Sequence, residues 1–242
     1  MTSRDFGFGV SVREAEGAEG VFILHLKANE NRFNPDFMVA IDRALSHVEK
    51  HEGPTALVTV GEGKFYSNGL DLDYVGSHTD QVESFMNQYM ALLAHFLIAG
   101  VPTVAAVNGH CFAGGFLLAL SHDYRIMRED RGFCCLNEVD IGLNLCPGMA
   151  AVARAKLERT IFRDSILNAT RYTAPEGVKA GFIDAAVPDA EVLARAVALA
   201  QKLAPRGANK TILSQLKQEM YIDAYDKLTT GGFGGSKKKA NL

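Results

Sequence analysis

The chain has 242 residues, 48% of them hydrophobic and 22% charged, with a net charge of −3 and a pI near 6.2. That is enough apolar material for one large domain or two small ones with a sizeable core. It argues against a nucleic-acid-binding surface, because the one dense basic run is Lys237-Lys238-Lys239 at the extreme tail.

Residues 1–7 lack the basic and apolar regions of a signal peptide. Two strand-like runs, 6–12 and 21–27, flank a Glu/Gly-rich turn and predict a hairpin. A helix is expected over 35–51, with Asn34 as its cap, Pro35 in its first turn and Phe37, Ile41, Leu45 and Val48 on one face. Residues 56–60 read as a short buried strand. From here a strand–turn–helix unit repeats: strand 56–60 with helix 81–99, strand 103–107 with helix 115–121, and strand 124–127 with a turn and an apolar run over 133–136. Strands separated by helices imply parallel pairing with right-handed crossovers. Successive similar units suggest a coil of ββα turns.

No Asp, Glu, Lys or Arg occurs between Ser84 and His122. Gly100 and Pro102 interrupt this stretch and His95 lies within it, so a buried helix leading into a buried strand fits better than a membrane span. Cys111, Cys134, Cys135 and Cys146 show neither a disulfide framework nor C-x-x-C metal spacing. After Pro147-Gly148 the pattern turns helical, over 149–157, 159–168, 175–180, 190–204 and 209–228, with one short strand over 182–187. Residues 231–242 form a Gly/Lys-rich tail, expected to be flexible.

Three places carry chemistry. In the turn Tyr66-Ser67-Asn68-Gly69-Leu70-Asp71, Gly69 permits a sharp bend, and the Leu70 N–H becomes a candidate donor. In Phe112-Ala113-Gly114-Gly115, Gly114 sets an N–H at a helix start, although paired glycines also serve close helix–strand packing. Two convergent N–H groups are what an enzyme needs to hold a negative oxygen. Glu138 is a lone carboxylate among apolar neighbours, where desolvation would strengthen it as a base, and Asp140 is its rival. Ser67 with His110 and Asp71 is a weaker, triad-like alternative. His122 and Asp123 suit local hydrogen bonds. A G-x-G-x-x-G fingerprint and metal-ligand spacing are both absent.

These turns, the Gly114-Gly115 pair, the phrase Ser121-His-Asp-Tyr-Arg-Ile-Met-Arg-Glu-Asp-Arg-Gly-Phe133 and the Asn137-Glu138 element together resemble the crotonase (enoyl-CoA hydratase/isomerase) family over about residues 6–225. The phrase Lys64-Phe-Tyr-Ser-Asn-Gly-Leu-Asp-Leu72 is most similar to the plant-type peroxisomal Δ3,Δ2-enoyl-CoA isomerases. The resemblance implies an α/β spiral of ββα units with a helical C-terminal trimerisation region: core 1–188, helical region 189–230 and tail 231–242. It implies that the Leu70 and Gly114 N–H groups bind a thioester oxygen. Ser67, Asn68, Gly69 and Asp71 would line the CoA and acyl groove, and Glu138 would act as the acid/base. Hydratases of the family carry another glutamate two positions after Gly115. Here that position is Leu117, so the expectation is isomerisation of a 3-enoyl-CoA to a trans-2-enoyl-CoA in β-oxidation. The alternatives are another family activity (hydratase, dienoyl-CoA isomerase or thioesterase) or a catalytically silent acyl-CoA-binding protein. No separate cofactor is implied, since coenzyme A is part of the substrate. Lys27, Arg32, Lys64 and Lys210 are candidate phosphate partners. Phe37, Tyr74, Phe85, Tyr89 and Leu117 could line an acyl tunnel or equally belong to the core. A homotrimer or hexamer is implied. The terminal Ala240-Asn241-Leu242 resembles a peroxisomal address read by an import receptor, with the cytoplasm or mitochondrion as the alternative location.

Overall fold

Gly7, Phe8 and Gly9 all have positive φ, at 83°, 53° and 79°, and they fold the first strand-like run back on itself. The expected hairpin is therefore a three-stranded meander in the computed structural model, which describes residues 3–232. Strand β1 (Arg4–Gly7) pairs antiparallel with β2 (Val10–Ala15), and β2 with β3 (Ala18–Leu26). A side chain at Gly9 would lie 2.8 Å from the Ala28 backbone nitrogen, so sequence alternation alone could not reveal this turn. Helix α1 (Pro35–Glu49) begins as expected: Asn34 Oδ1 accepts the Phe37 N–H at 3.0 Å, and Phe37, Ile41, Leu45 and Val48 are buried.

The spiral follows. Its first turn is β4 (Ala56–Gly61), β5 (Phe65–Ser67), a short α2 (Leu72–Ser77) and α3 (Val82–Leu97). The second is β6 (Thr103–Val107), β7 (His110–Phe112) and α4 (Gly114–Ser121). The third is β8 (Tyr124–Arg128), β9 (Cys134–Cys135) and α5 (Pro147–Lys156). Each turn gives one strand to a large sheet and one to a small sheet. Then come α6 (Arg159–Asn168), α7 (Ala174–Lys179), β10 (Ala185–Val187), α8 (Asp189–Leu203), α9 (Lys210–Met220) and α10 (Ile222–Thr230). The expected long helix over 209–228 is thus two helices, broken at Tyr221 (φ −121°, ψ 27°).

The large sheet runs β1-β2-β3-β4-β6-β8-β10, parallel from β3 onward; the small sheet runs β5-β7-β9, all parallel. Helix α8 covers one face of the large sheet, packing Val192, Ala196 and Ala200 against Val21, Val58, Val104 and Ile126. Helices α1, α3 and α4 fill the other side. Burial on both faces is why β4 and β6 read as unbroken apolar runs rather than alternating ones. All four cysteines are buried and free. No helix among the described residues is long and apolar enough to cross a membrane. The terminal tripeptide and most of the tail (233–242) lie outside the described residues.

Charged groups inside this frame are paired. Arg125 donates to the carbonyls of Phe182 (2.5 Å), His122 (2.8 Å), Asp123 (3.1 Å) and Ala119 (3.3 Å). Asp123 Oδ2 accepts from Lys217 Nζ (2.7 Å) and the Thr103 N–H (2.8 Å). His122 bridges Thr59 Oγ1 (2.9 Å) and the Leu118 carbonyl (2.8 Å), and burial pushes its pKa down to about 3. Of the local hydrogen bonds expected of these two side chains, only that of His122 to Leu118 is local in the chain; Thr59, Thr103 and Lys217 are distant partners brought in by the fold.

Candidate active site

The three parallel strands of the small sheet end on one side, and the loop after each enters a common cavity of about 310 Å³. After β5 come Asn68 and Leu70; after β7, Ala113 and Gly114; after β9, Asn137 and Glu138. The remaining wall is mostly apolar, including Leu72, Val75, Val82, Met86, Leu143 and Met149.

Each candidate donor is aimed by the carbonyl on the other side of its own peptide plane. The Gly69 carbonyl accepts the Phe33 N–H at 2.8 Å, and the Asp71 N–H returns to the Phe33 carbonyl at 2.9 Å. A planar trans peptide held by its C=O must point its N–H the opposite way. The Ala113 carbonyl likewise accepts the Phe116 (3.0 Å) and Leu117 (3.1 Å) N–H groups at the start of α4. Neither the Leu70 nor the Gly114 N–H has an acceptor among the described residues. The backbone there is unusual. Gly69 has φ +81°, and a side chain on it would lie 3.1 Å from Gly114 N and the Phe112 carbonyl. Ala113 adopts φ 47°, ψ −119°, a sparsely populated region that stores strain where the donors are set.

Glu138 is 9% exposed, and its Oε2 is buried with no hydrogen-bond partner. Burial raises its pKa above the ordinary carboxylate value. Asn137 Oδ1 beside it is also buried and unpartnered. Such groups cost free energy unless a ligand completes them. Glu138 is the one carboxylate among the described residues that line the cavity.

The structure therefore brings together Asn68, Leu70, Gly114 and Glu138. It places three other candidates in the supporting frame. Ser67 is fully buried, and its Oγ donates to the Asn31 carbonyl at 2.7 Å. Gly69 is the hinge beneath the Leu70 donor. Asp71 caps α2, accepting the Tyr74 N–H at 3.1 Å, and faces a separate depression with Asp73 and Tyr74. The Ser67, His110 and Asp71 set is not assembled. His110 sits among the Phe65, Phe112 and Phe133 rings, 5.1–5.7 Å away, where burial and Lys64, Arg131 and Arg171 lower its pKa. Asp140 is exposed.

Arg32 is the one cationic candidate in the cavity wall, ion-paired with Glu30 (2.7 Å) and Asp73 (3.2 Å). Lys210 instead ties the carbonyls of Gly53 and Gly207 together elsewhere. Of the tunnel candidates, Phe37, Phe85, Tyr89 and Leu117 are buried in the core, and Tyr74 stacks on Phe85. The apolar wall was missed because its residues have no signature beyond being apolar. The spacing of Val82 and Met86, one helical turn apart, is the signal that was available.

A model of enoyl-CoA hydratase/isomerase proteins matches residues 16–233. The chain belongs to this family. Within the enoyl-CoA hydratase/isomerase family it is 34% identical to the peroxisomal enoyl-CoA delta isomerase 2 of Arabidopsis thaliana over 212 residues, covering 83% of this chain and 88% of that one. It is 33% identical to enoyl-CoA delta isomerase 1, peroxisomal, of the same plant, covering 85% and 88%. The fold is shared with human mitochondrial delta3-delta2-enoyl-CoA isomerase, with a TM-score of 0.80, 24% identity and coverage of 92% and 86%. A Pseudomonas syringae enoyl-CoA hydratase/isomerase family protein gives a TM-score of 0.83 at 27% identity, covering 92% and 96%. The family resemblance and the spiral α/β architecture read from the sequence are thereby established.

Proposed function

We propose that this family member is a Δ3,Δ2-enoyl-CoA isomerase. The observation that carries the reading is a single unpartnered carboxylate sharing an apolar cavity with two unpartnered, carbonyl-anchored N–H groups. Glu138 removes a proton from C2 of a 3-enoyl-CoA. Charge moves to the thioester oxygen, which the Leu70 and Gly114 N–H groups hold as a dienolate. Protonated Glu138 then delivers the proton to C4, giving the trans-2-enoyl-CoA. The apolar wall shields the dienolate from water.

Water addition needs a second carboxylate to position and split the water. Leu117, at the position where hydratases carry it, is fully buried. Asp71, Asp140 and His110, the other candidates to assist such chemistry, do not line the cavity. The plant relatives' names support the isomerase reading. They also support a peroxisomal location, for which Ala240-Asn241-Leu242 is the proposed address, and a role in β-oxidation is proposed from the family resemblance. A homotrimer or hexamer is proposed from the family resemblance, with the C-terminal helices as the subunit contact.

The test is to incubate purified protein with 3-hexenoyl-CoA and follow conjugated thioester absorbance. Product should be 2-enoyl-CoA without 3-hydroxyacyl-CoA, and Glu138→Gln should lower the rate by ~10²–10⁴. A variant that stays near wild type would rule out this base.

A further inference from the structure

Tyr89, on α3, is fully buried, and its hydroxyl donates to the Gly114 carbonyl at 2.5 Å. Its ring packs on Phe33, with centroids 5.3 Å apart. Phe33 is the residue whose backbone N–H anchors the Gly69–Leu70 peptide. One side chain thus touches the residue that anchors the Leu70 donor and the residue that carries the Gly114 donor. The geometry is tight: a side chain on Gly114 would lie 3.0 Å from the Tyr89 oxygen. Burial and the Glu138 carboxylate both raise the Tyr89 pKa, so the hydroxyl keeps its proton as a donor.

We infer that Tyr89 is a positioning residue that locks the Leu70 and Gly114 amides into one rigid oxyanion cradle, through its hydroxyl on Gly114 and its ring on Phe33. The Ala113 carbonyl bonds fix the Gly114 N–H from one side, and Tyr89 fixes the next peptide from the other. Without the hydroxyl, the first carbonyl of α4 keeps only its helical bond, and the Gly114 end of the cradle is held less firmly against α3. Tyr89 is not among the residues that line the cavity. Its loss should therefore spare ground-state binding and weaken the hold on the developing oxyanion.

This rests on the isomerase reading above, and the two fail separately. If the wild-type protein does not isomerise 3-hexenoyl-CoA, the isomerase reading fails. If it does, the decisive comparison is Tyr89→Phe, which keeps the ring and removes the hydroxyl. The expected result is a kcat lowered about tenfold, less than the ~10²–10³ for losing a donor outright, with KM unchanged. An unchanged kcat, or a raised KM at unchanged kcat, would overturn the proposal. The second variant is Phe33→Leu, which keeps the anchoring N–H and removes the ring contact. Its effect on kcat should be less than additive with that of Tyr89→Phe, because both loosen the same cradle. Full additivity would also overturn it. Should Tyr89→Phe not fold, Phe33→Leu alone must show the same fall in kcat at constant KM, and a wild-type kcat there refutes the lock.

Discussion

Two buried polar regions of this molecule are answered in opposite ways. Around Arg125, carbonyls of four residues accept the guanidinium, Asp123 takes the Lys217 ammonium, and His122 is bonded through both ring nitrogens. Around Glu138, the carboxylate Oε2, the Asn137 Oδ1 and two backbone N–H groups have no partner among the described residues. Both regions bear the cost of removing polar groups from water. The first recovers it within the chain and works as frame. The second leaves it outstanding until a ligand arrives, which is how a folded structure reserves interaction energy for a reaction.

Substitutions should separate the two. Arg125→Ala strands several buried carbonyls and should cost about 3–5 kcal/mol of stability, read by denaturant unfolding. Turnover per folded molecule should stay within a few-fold of wild type. Gly69→Ala should do the reverse. It forces a side chain into positive φ against Gly114 and displaces the Leu70 donor, so kcat/KM should fall by ~10²–10³ at a stability cost of only about 1–2 kcal/mol. A Gly69→Ala protein with intact activity would break the comparison.

Titration sharpens the contrast. Glu138 must be ionised to act as a base, and burial raises its pKa. The rate should therefore fall as pH drops through a value above the ordinary 4.5, visible in a kcat/KM profile. His95 belongs to the paired class. Burial lowers its pKa, but hydrogen bonds to Asp42 (2.7 Å) and Glu49 (2.8 Å) outweigh that and raise it to about 9. A raised folded-state pKa means the stabilisation is fully present below 6.5 and is lost as pH rises through about 9. The stability deficit of His95→Gln, about 1 kcal/mol near neutral pH, should vanish above that range in urea titrations.

The spiral was readable because its signals are local and strong. Glycine turns follow short apolar strands, and residues before helices cap them, as Asn34 does. Leu70, Gly114 and Glu138 stood out for the same reason: glycine bends and a carboxylate in apolar surroundings are rare enough to notice. What stayed hidden depends on contacts far apart in the chain. The turn at Gly7-Phe8-Gly9 looks like part of a strand until Lys27 and Ala28 pack against it. The break at Tyr221 lies inside a continuous helical pattern. Lys217 is the buried residue of α9 while Leu216 and Met220 are 62% exposed, an inversion that follows from Asp123 on a distant segment. Met86 and Leu143 join the cavity only after α3 and the loop before α5 meet.

Because the Phe33 N–H steers the Leu70 amide through the carbonyl behind it, the identity of the side chain at 70 is nearly irrelevant to that donor. A library at position 70 restricted to apolar residues of similar size should keep the donor working, while proline, which deletes the donor itself, should be rejected. Position 33 should reject proline as well, although nothing there touches the reacting atoms.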